Sequence, residues 1–362
     1  MSRIVSIGTA VPGYKTSQDR ILEFMISAYE NDLASRKLKA LFRSSRIETR
    51  YSVIPDFGSE ESQFFNEQGR PGVNERMSLF RLKALPLALE AIKKATSRLV
   101  PCFDPASVTH LIAVTCTGLH SPGLDAMIVK EMKLRDDICR IPINFQGCNA
   151  AFPAMKVADM IAFSDPGSKV LVVCVELCTL HFSANNNDDN LLSNTLFGDG
   201  AAAMIVVPDK IADKSRWNGF EIKGFYSSLF SEGNDLMGWN IGEHNFEMIL
   251  SHDVPVFLGS NIRNFISAAE EKLGIAESDI RHWAVHPGGK KILDEMIKAV
   301  GLNGNSLLDS YKVLREYGNI SSPTILFVLN EIVKKSLSAG DNVFAVGFGP
   351  GITMDALWLT YA

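Results

Sequence analysis

Apolar positions along the chain fall into two alternating kinds of run. Short unbroken runs at 111–115 (LIAVT), 170–173 (VLVV), 201–207 (AAAMIVV), 283–285 (WAV), 343–346 (VFAV) and 356–359 (ALWL) have the length and composition of buried strands. Longer stretches at 82–98, 125–134, 151–163, 256–273 and 324–336 have helical length. The first residues, MSRIVSIGTAVPGY, alternate as a strand does and lack the apolar core of a signal peptide. Strands and helices in alternation predict an α/β fold whose sheets are covered by helices. No linker or low-complexity segment divides it.

Part of the pattern occurs twice. LIAVTCTG at 111–118 resembles HWAVHPGG at 282–289, and QGCNAAFPAMKVA at 146–158 resembles YGNISSPTILFVL at 317–329. Both pairs are offset by 171 residues, so Cys148 corresponds to Asn319. A third echo pairs FGDGAAAMIV at 197–206 with FGPGITMDAL at 348–357, at an offset of 151. Self-similarity in this order predicts a duplicated fold. The expected division is 1–212 for the first half and 213–362 for the second.

Composition narrows the function. With 36 Lys and Arg against 41 Asp and Glu, the net charge of −5 argues against nucleic acid as the main partner. No run approaches the roughly 18 apolar residues of a membrane span, so a cytoplasmic protein with no membrane segment is expected. The six cysteines, Cys102, Cys116, Cys139, Cys148, Cys174 and Cys178, form no CxxC pair. Reduced thiols are expected, most of them packed as small apolar residues, Cys174 and Cys178 among them. Neither metal-ligand spacing nor a phosphate-binding Gly loop is visible. Glu176 reads as structural, and Asp199 as a turn residue bonded through Asx geometry.

Three residues stand out chemically. Cys148 follows Gln146-Gly147 and precedes a helical run with Pro153 in its first turn, which places the thiol at a helix start. The helix dipole there favours a thiolate. His286 ends a strand before Pro-Gly-Gly, a place from which a side chain points into a crevice. Asn319 opens the symmetry-related helix, where a plain N-cap role is the competing reading. Together they make a Cys–His–Asn set. A thiolate can hold an acyl group as a thioester, with His as its ion-pair partner, and two N–H donors can stabilise an enolate or oxyanion. Decarboxylation of a malonyl group needs no further base.

The motifs GCNAAFPA, LFGDGAAAMIV, VHPGGKKILD, YGNISSPTILFVL and GFGPGITMDALWL closely resemble those of type III polyketide synthases, the chalcone/stilbene synthase superfamily. The resemblance runs from about Arg3 to the C-terminus. It implies a thiolase fold with a duplicated, five-layered αβαβα architecture. It also implies a homodimer, acyl-CoA and malonyl-CoA as substrates, and no permanently bound cofactor. Cys148 then matches the nucleophile, and His286 and Asn319 the decarboxylation pair. Phe197 matches one aromatic gatekeeper. Phe246 is the first choice for the second gatekeeper and Met248 the alternative. Cys116, Thr117, Ser121 and Ser321 fall at cavity positions. Lys37, Lys39, Arg43, Arg46, Gly288 and Gly289 are the candidates for holding coenzyme A.

The chain departs from the plant pattern at Asn149-Ala150-Ala151-Phe152, at Ser121 where many plant enzymes carry a Met that reaches across the dimer, and at 185–190 (NNNDDN). These departures look microbial. The leading expectation is iterative condensation on Cys148 followed by cyclisation to a pyrone, resorcinol or phloroglucinol. An initiating ketoacyl synthase that condenses once on acyl carrier protein is the alternative, although that class carries His-Gln-Ala-Asn where this chain has His286-Pro287-Gly288-Gly289. A papain-like hydrolase and a silent partner subunit fit the pattern less well.

Overall fold

The structure is a computed structural model, and it describes residues 1–59, 63–65, 71–99, 103–212 and 219–362. Cys102 and the six residues after 212 lie outside the described residues. The strands are β1 (Ser2–Ala10), β2 (Tyr14–Ser17), β3 (Thr49–Ser52), β4 (His110–Thr115), β5 (Cys139–Asn144), β6 (Val170–Leu177), β7 (Asp199–Pro208), β8 (Phe220–Leu229), β9 (Met237–Ile241), β10 (Phe246–Leu250), β11 (Ile280–Val285), β12 (Asn342–Gly349) and β13 (Thr353–Tyr361). The α-helices are α1 (Gln18–Tyr29), α2 (Asp32–Ser45), α3 (Val73–Thr96), α4 (Leu124–Met132), α5 (Ala151–Ser164), α6 (Asp188–Leu196), α7 (Val254–Leu273), α8 (Lys290–Val300), α9 (Leu308–Tyr317) and α10 (Thr324–Val333). Helix α3 begins well before the expected residue 82. The Glu75 carboxylate accepts the Gly72 N–H at 2.5 Å and caps an earlier start.

Nine strands form one sheet in the order β11-β12-β13-β8-β1-β7-β6-β4-β5. Its middle joint is thin, because β1 and β8 pair only through Arg3 with Glu221 and Ile4 with Phe220. On each side of the joint the same order recurs, β4-β6-β7-β1 and β11-β12-β13-β8. In each set the first pair is parallel and the next two are antiparallel. The repeats seen in the sequence therefore map onto equivalent strands. β5 has no counterpart and forms an open edge.

Five layers result. α3 covers the outer face of the first strand set, α5 and α10 lie between the two sets, and α7 and α8 cover the second. The middle helices are the most apolar of the described helices, and α10 is enclosed on nearly every side. α10 is buried from Thr324 to Ile332, and α5 turns Ala151, Ala154, Ala158 and Ala162 into close packing. Cys148 lies in the 3-10 turn that leads into α5, whereas Asn319 pairs with Phe197 five residues before α10 begins, which corrects the expected helix-opening place of Asn319. No described helix is long and apolar enough to cross a membrane.

Cys116 and Cys174 are buried as expected. One expectation for the cysteines is corrected: Cys178 is only partly buried, because it faces a cavity, while Cys139, which opens the edge strand β5, is exposed.

Candidate active site

The nucleophile turn is a single 3-10 turn, Gly147–Asn149, leading into α5. Gly147 has φ +74°, and a Cβ there would stand 2.4 Å from Pro350 Cδ. Only Gly fits that left-handed, tightly packed position. The GFGPG motif thus forms the wall against which Cys148 is set. Gly318, with φ +72°, does the same for the second half, since a Cβ there would meet the Leu196 carbonyl at 2.7 Å. Beyond it, Asn319 exchanges main-chain bonds on both sides of Phe197, with Leu196 O and Gly198 N each at 2.9 Å.

The amide of Asn319 is oriented by its neighbours. Oδ1 accepts the Ser321 N–H at 2.8 Å, so Nδ2 is directed at Cys148 Sγ, 4.0 Å away, and at Gly288 O, 3.3 Å away. The pair offset by 171 residues therefore meets side chain to side chain. His286 leaves β11 with its N–H donated to Val346 O at 2.8 Å. Its ring is 1% exposed, and neither Nδ1 nor Nε2 has a hydrogen-bond partner among the described residues. Cys148, His286 and Asn319 border one small chamber of about 20 Å³.

Burial pushes the Cys148 thiol up to about 11, although bonds from Ser321 and Asn319 pull it down. Burial lowers His286 to about 3. Both shifts favour the neutral thiol and imidazole over the expected ion pair, because burial penalises each charge. The chemical capacity remains. The neutral ring keeps one basic nitrogen for the thiol proton and one N–H to donate.

The chamber lies between two larger cavities. Inward is a cavity of about 60 Å³ that shares Cys148, Phe197, Met237 and Met248 with it. Cys116, Thr117 and Ser321 line this inner cavity, as expected. Phe197 and Met248 are among the residues that border both spaces. Of the two choices for the second gatekeeper, Phe246 borders only the inner cavity and Met248 borders both. Phe246 and Met248 are two apart on β10 and share a face. Phe246 lies deeper, stacked on the His181 ring at 4.3 Å and 11°. Ser121 is exposed and lines none of these spaces within the one chain.

Outward is a cavity of about 350 Å³ lined by α2, α6 and the start of α8. Lys37, Gly288 and Gly289 line it as expected, with Lys37 paired to Asp188 at 2.6 Å. Lys39, Arg43 and Arg46 are exposed and do not line it. The lining face of α2 runs through Lys37, Ala40, Leu41, Ser44 and Ser45. At 100° per residue, Lys39 and Arg43 fall on another face of the helix, and Arg46 lies past its end. His252, Lys290 and Lys291 line the mouth instead. KK directly after HPGG is the one signal that pointed to two of them.

The inner wall also holds residues that sequence reasoning missed. The Trp239 indole donates to Cys116 O at 2.7 Å. His181 sits between Thr117 O, 2.8 Å away, and the Phe246 N–H, 3.1 Å away. Glu176 is a buried hub that accepts from Thr115, Thr117, Ser322 and both the N–H and thiol of Cys116. Burial raises its carboxyl despite those bonds. Asp199 makes no local Asx turn. It reaches across to the Val53 N–H and to the N–H and hydroxyl of Thr179, which corrects the local reading. Among the described residues no cluster of His, Cys, Asp and Glu could hold a metal ion.

Two family models match this chain. That for the N-terminal domain of chalcone and stilbene synthases matches residues 1–210, and that for the C-terminal domain matches 222–361. The chain belongs to the chalcone and stilbene synthase family. It is a type III polyketide synthase, a condensing acyltransferase that uses coenzyme A thioesters. A Mycobacterium tuberculosis protein named alpha-pyrone synthesis polyketide synthase-like Pks18 is 29% identical over 360 residues, covering 98% of this chain and 90% of that protein. The crystal structure of PKS-I from the brown alga Ectocarpus siliculosus superimposes with a TM-score of 0.91 at 27% identity, covering 100% of this chain and 98% of that one. CsyB complexed with CoA-SH gives 0.91 at 25% identity, with full coverage of both chains. The thiolase-like fold expected from the motifs is the fold these structures share.

Proposed function

We propose that this synthase condenses malonyl units iteratively onto an acyl group held by Cys148, with His286 and Asn319 as the decarboxylating pair. The observation that carries the reading is the chamber where a thiol, an imidazole with two unpaired nitrogens and an oriented amide converge. In the loading step the Cys148 proton passes to His286 as Sγ attacks the starter thioester. The proton leaves with the coenzyme A thiolate. The neutral His286 N–H and Asn319 Nδ2 then bond the thioester oxygen of malonyl-CoA. Loss of CO2 leaves an enolate stabilised by those donors, and its carbon attacks the Cys148 thioester carbonyl, breaking the C–S bond and releasing the Cys148 thiolate. The lengthened acyl group departs on coenzyme A and reloads.

The outer cavity suits the pantetheine arm, with Gly288 and Gly289 along it and Lys37, Lys290, Lys291 and His252 facing the phosphates. Phe197 and Met248 separate that arm from the growing chain. Ring closure to a pyrone-, resorcinol- or phloroglucinol-type product completes the reading. The relative named for alpha-pyrone synthesis favours the first. We place the boundary between the halves after residue 212, which the repeated strand order supports.

A homodimer fits the open edge β5, whose residues are largely exposed. Met160 and Phe163 are 60% and 77% exposed on α5, which packs on β4 next to that edge. Ser121 would then face the partner. Free thiols and coenzyme A thioester chemistry fit a cytoplasmic enzyme. Purified protein given acyl-CoA starters and malonyl-CoA tests the reading. Intact-mass labelling of Cys148 and extended products are expected. Malonyl-CoA that stays intact with every starter, or elongation by Cys148→Ala protein, would overturn it.

A further inference from the structure

One buried cation has no part in the steps above. Arg50, on β3, is 4% exposed and lines the inner cavity. Three of its five N–H donors are used. Nε donates to Gln18 Oε1 at 3.0 Å, and Nη1 donates to the carbonyls of Asn194 at 2.8 Å and Phe197 at 2.6 Å. Nη2 is buried and has no hydrogen-bond partner among the described residues. Asp199 acts on it only through space, its own oxygens being taken by Val53 and Thr179. Burial lowers Arg50 to about 9, so it stays charged at neutral pH.

A buried charged donor without an acceptor is costly and calls for an explanation. Here the rest of the guanidinium is anchored, so Nη2 cannot swing to another partner. The inner cavity that Arg50 lines mixes Thr179, Asn190 and Ser193 with Met25, Phe57 and Phe182. Such a lining suits a chain that is mainly apolar and carries oxygens at intervals. We propose that Arg50 Nη2 donates a hydrogen bond to an oxygen of the acyl chain held on Cys148. That oxygen is either a β-keto carbonyl of the growing chain or one carried at the far end of the starter. This rests on the acyl-carrying role proposed for Cys148. Because Nη1 of the same rigid plane holds the Phe197 carbonyl, the bound oxygen and the gate residue are joined through one group.

The test compares wild type, Arg50→Met and Arg50→Lys. Each is loaded with two acyl-CoA starters of equal length, one ending in methyl and one in a hydroxyl, followed by malonyl-CoA. Intact mass reads the loading, and product mass reads the number of extensions. If the starter's far oxygen is bound, the hydroxyl-to-methyl loading ratio of wild type should fall about tenfold in Arg50→Met. The ratio cancels any general loss of activity. If chain carbonyls are bound, the ratio should hold while the methyl starter gives shorter products in Arg50→Met. Unchanged ratio and unchanged product length in folded variants would refute the proposal. Failure of any acyl group to label wild-type Cys148 would instead refute the condensing reading on which it rests. Should neither variant fold, a crystal structure of acylated wild type decides. An acyl oxygen within hydrogen-bond distance of Nη2 supports the proposal, and a water there with the chain elsewhere overturns it.

Discussion

The loops that follow β4 and β11 occupy equivalent places in the two halves, and they treat polar groups in opposite ways. After β4, Thr115, Cys116 and Thr117 all bond to Glu176, and Ser322 adds a bond from the second half. After β11, His286 stands at the position of Thr115 and its ring has no partner among the described residues. The first loop is a satisfied network that shapes a wall. The second holds nitrogens out of water with nothing to bond, which is useful only when a substrate supplies the partner. The duplicated backbone thus provides two equal frames, and side-chain satisfaction decides which one works on the substrate.

The contrast can be broken by exchanging its terms. Cys148→Ala removes the group that both loops serve and should abolish acyl labelling and product formation, read by intact mass. Next, His286→Gln and Asn319→Ala should each lower malonyl-CoA decarboxylation about 10²–10³-fold, the loss typical of removing one oxyanion donor. The thermal stability of His286→Gln should change little, because the His286 ring makes no hydrogen bond among the described residues, whereas Asn319→Ala also strands the buried Ser321 N–H and should destabilise by about 1–3 kcal/mol. Loss of stability with retained turnover in His286→Gln would erase the distinction. The satisfied loop should behave in the opposite way. Glu176→Ala strands several buried donors and should destabilise by about 3 kcal/mol in urea unfolding, against much less for Glu176→Gln.

Acid should expose the same difference. His286 falls to about 3 in the fold against an unfolded value of about 6.5, so the unfolded chain binds the extra proton. Its stability contribution is present above pH 6.5 and is lost as pH falls. Between pH 6.5 and 5 the loss is about 2 kcal/mol, and His286→Gln should remove that part of the slope. The smallest effects belong to the mouth. Lys290→Ala and Lys291→Ala should each raise the KM for malonyl-CoA about two- to fivefold, while Lys39→Ala and Arg43→Ala should not. Equal effects at all four would show that general charge, and not position, governs entry.

Much of this was legible in the residues. Periodicity gave the α/β alternation, and the offset of 171 gave both the duplication and the correspondence of Cys148 with Asn319. Gly before each of these residues marked turns packed too tightly for a Cβ. These are local signals, carried by spacing and by backbone limits on single residues. Other facts came only from the folded chain. Phe246 and Met248 share one face of β10, so no alternation rule could say which borders the chamber. Lys37 and Lys39 are equally basic, and only the facing of α2 onto the outer cavity separates them. Charge state behaved the same way. A helix start favours a thiolate, but burial, which is set by residues far away in the chain, raised Cys148 and lowered His286. Spacing along the chain determines which groups can stand at helix and strand ends. Which of them lose water, meet partners or stay unpaired depends on surfaces that distant segments bring together.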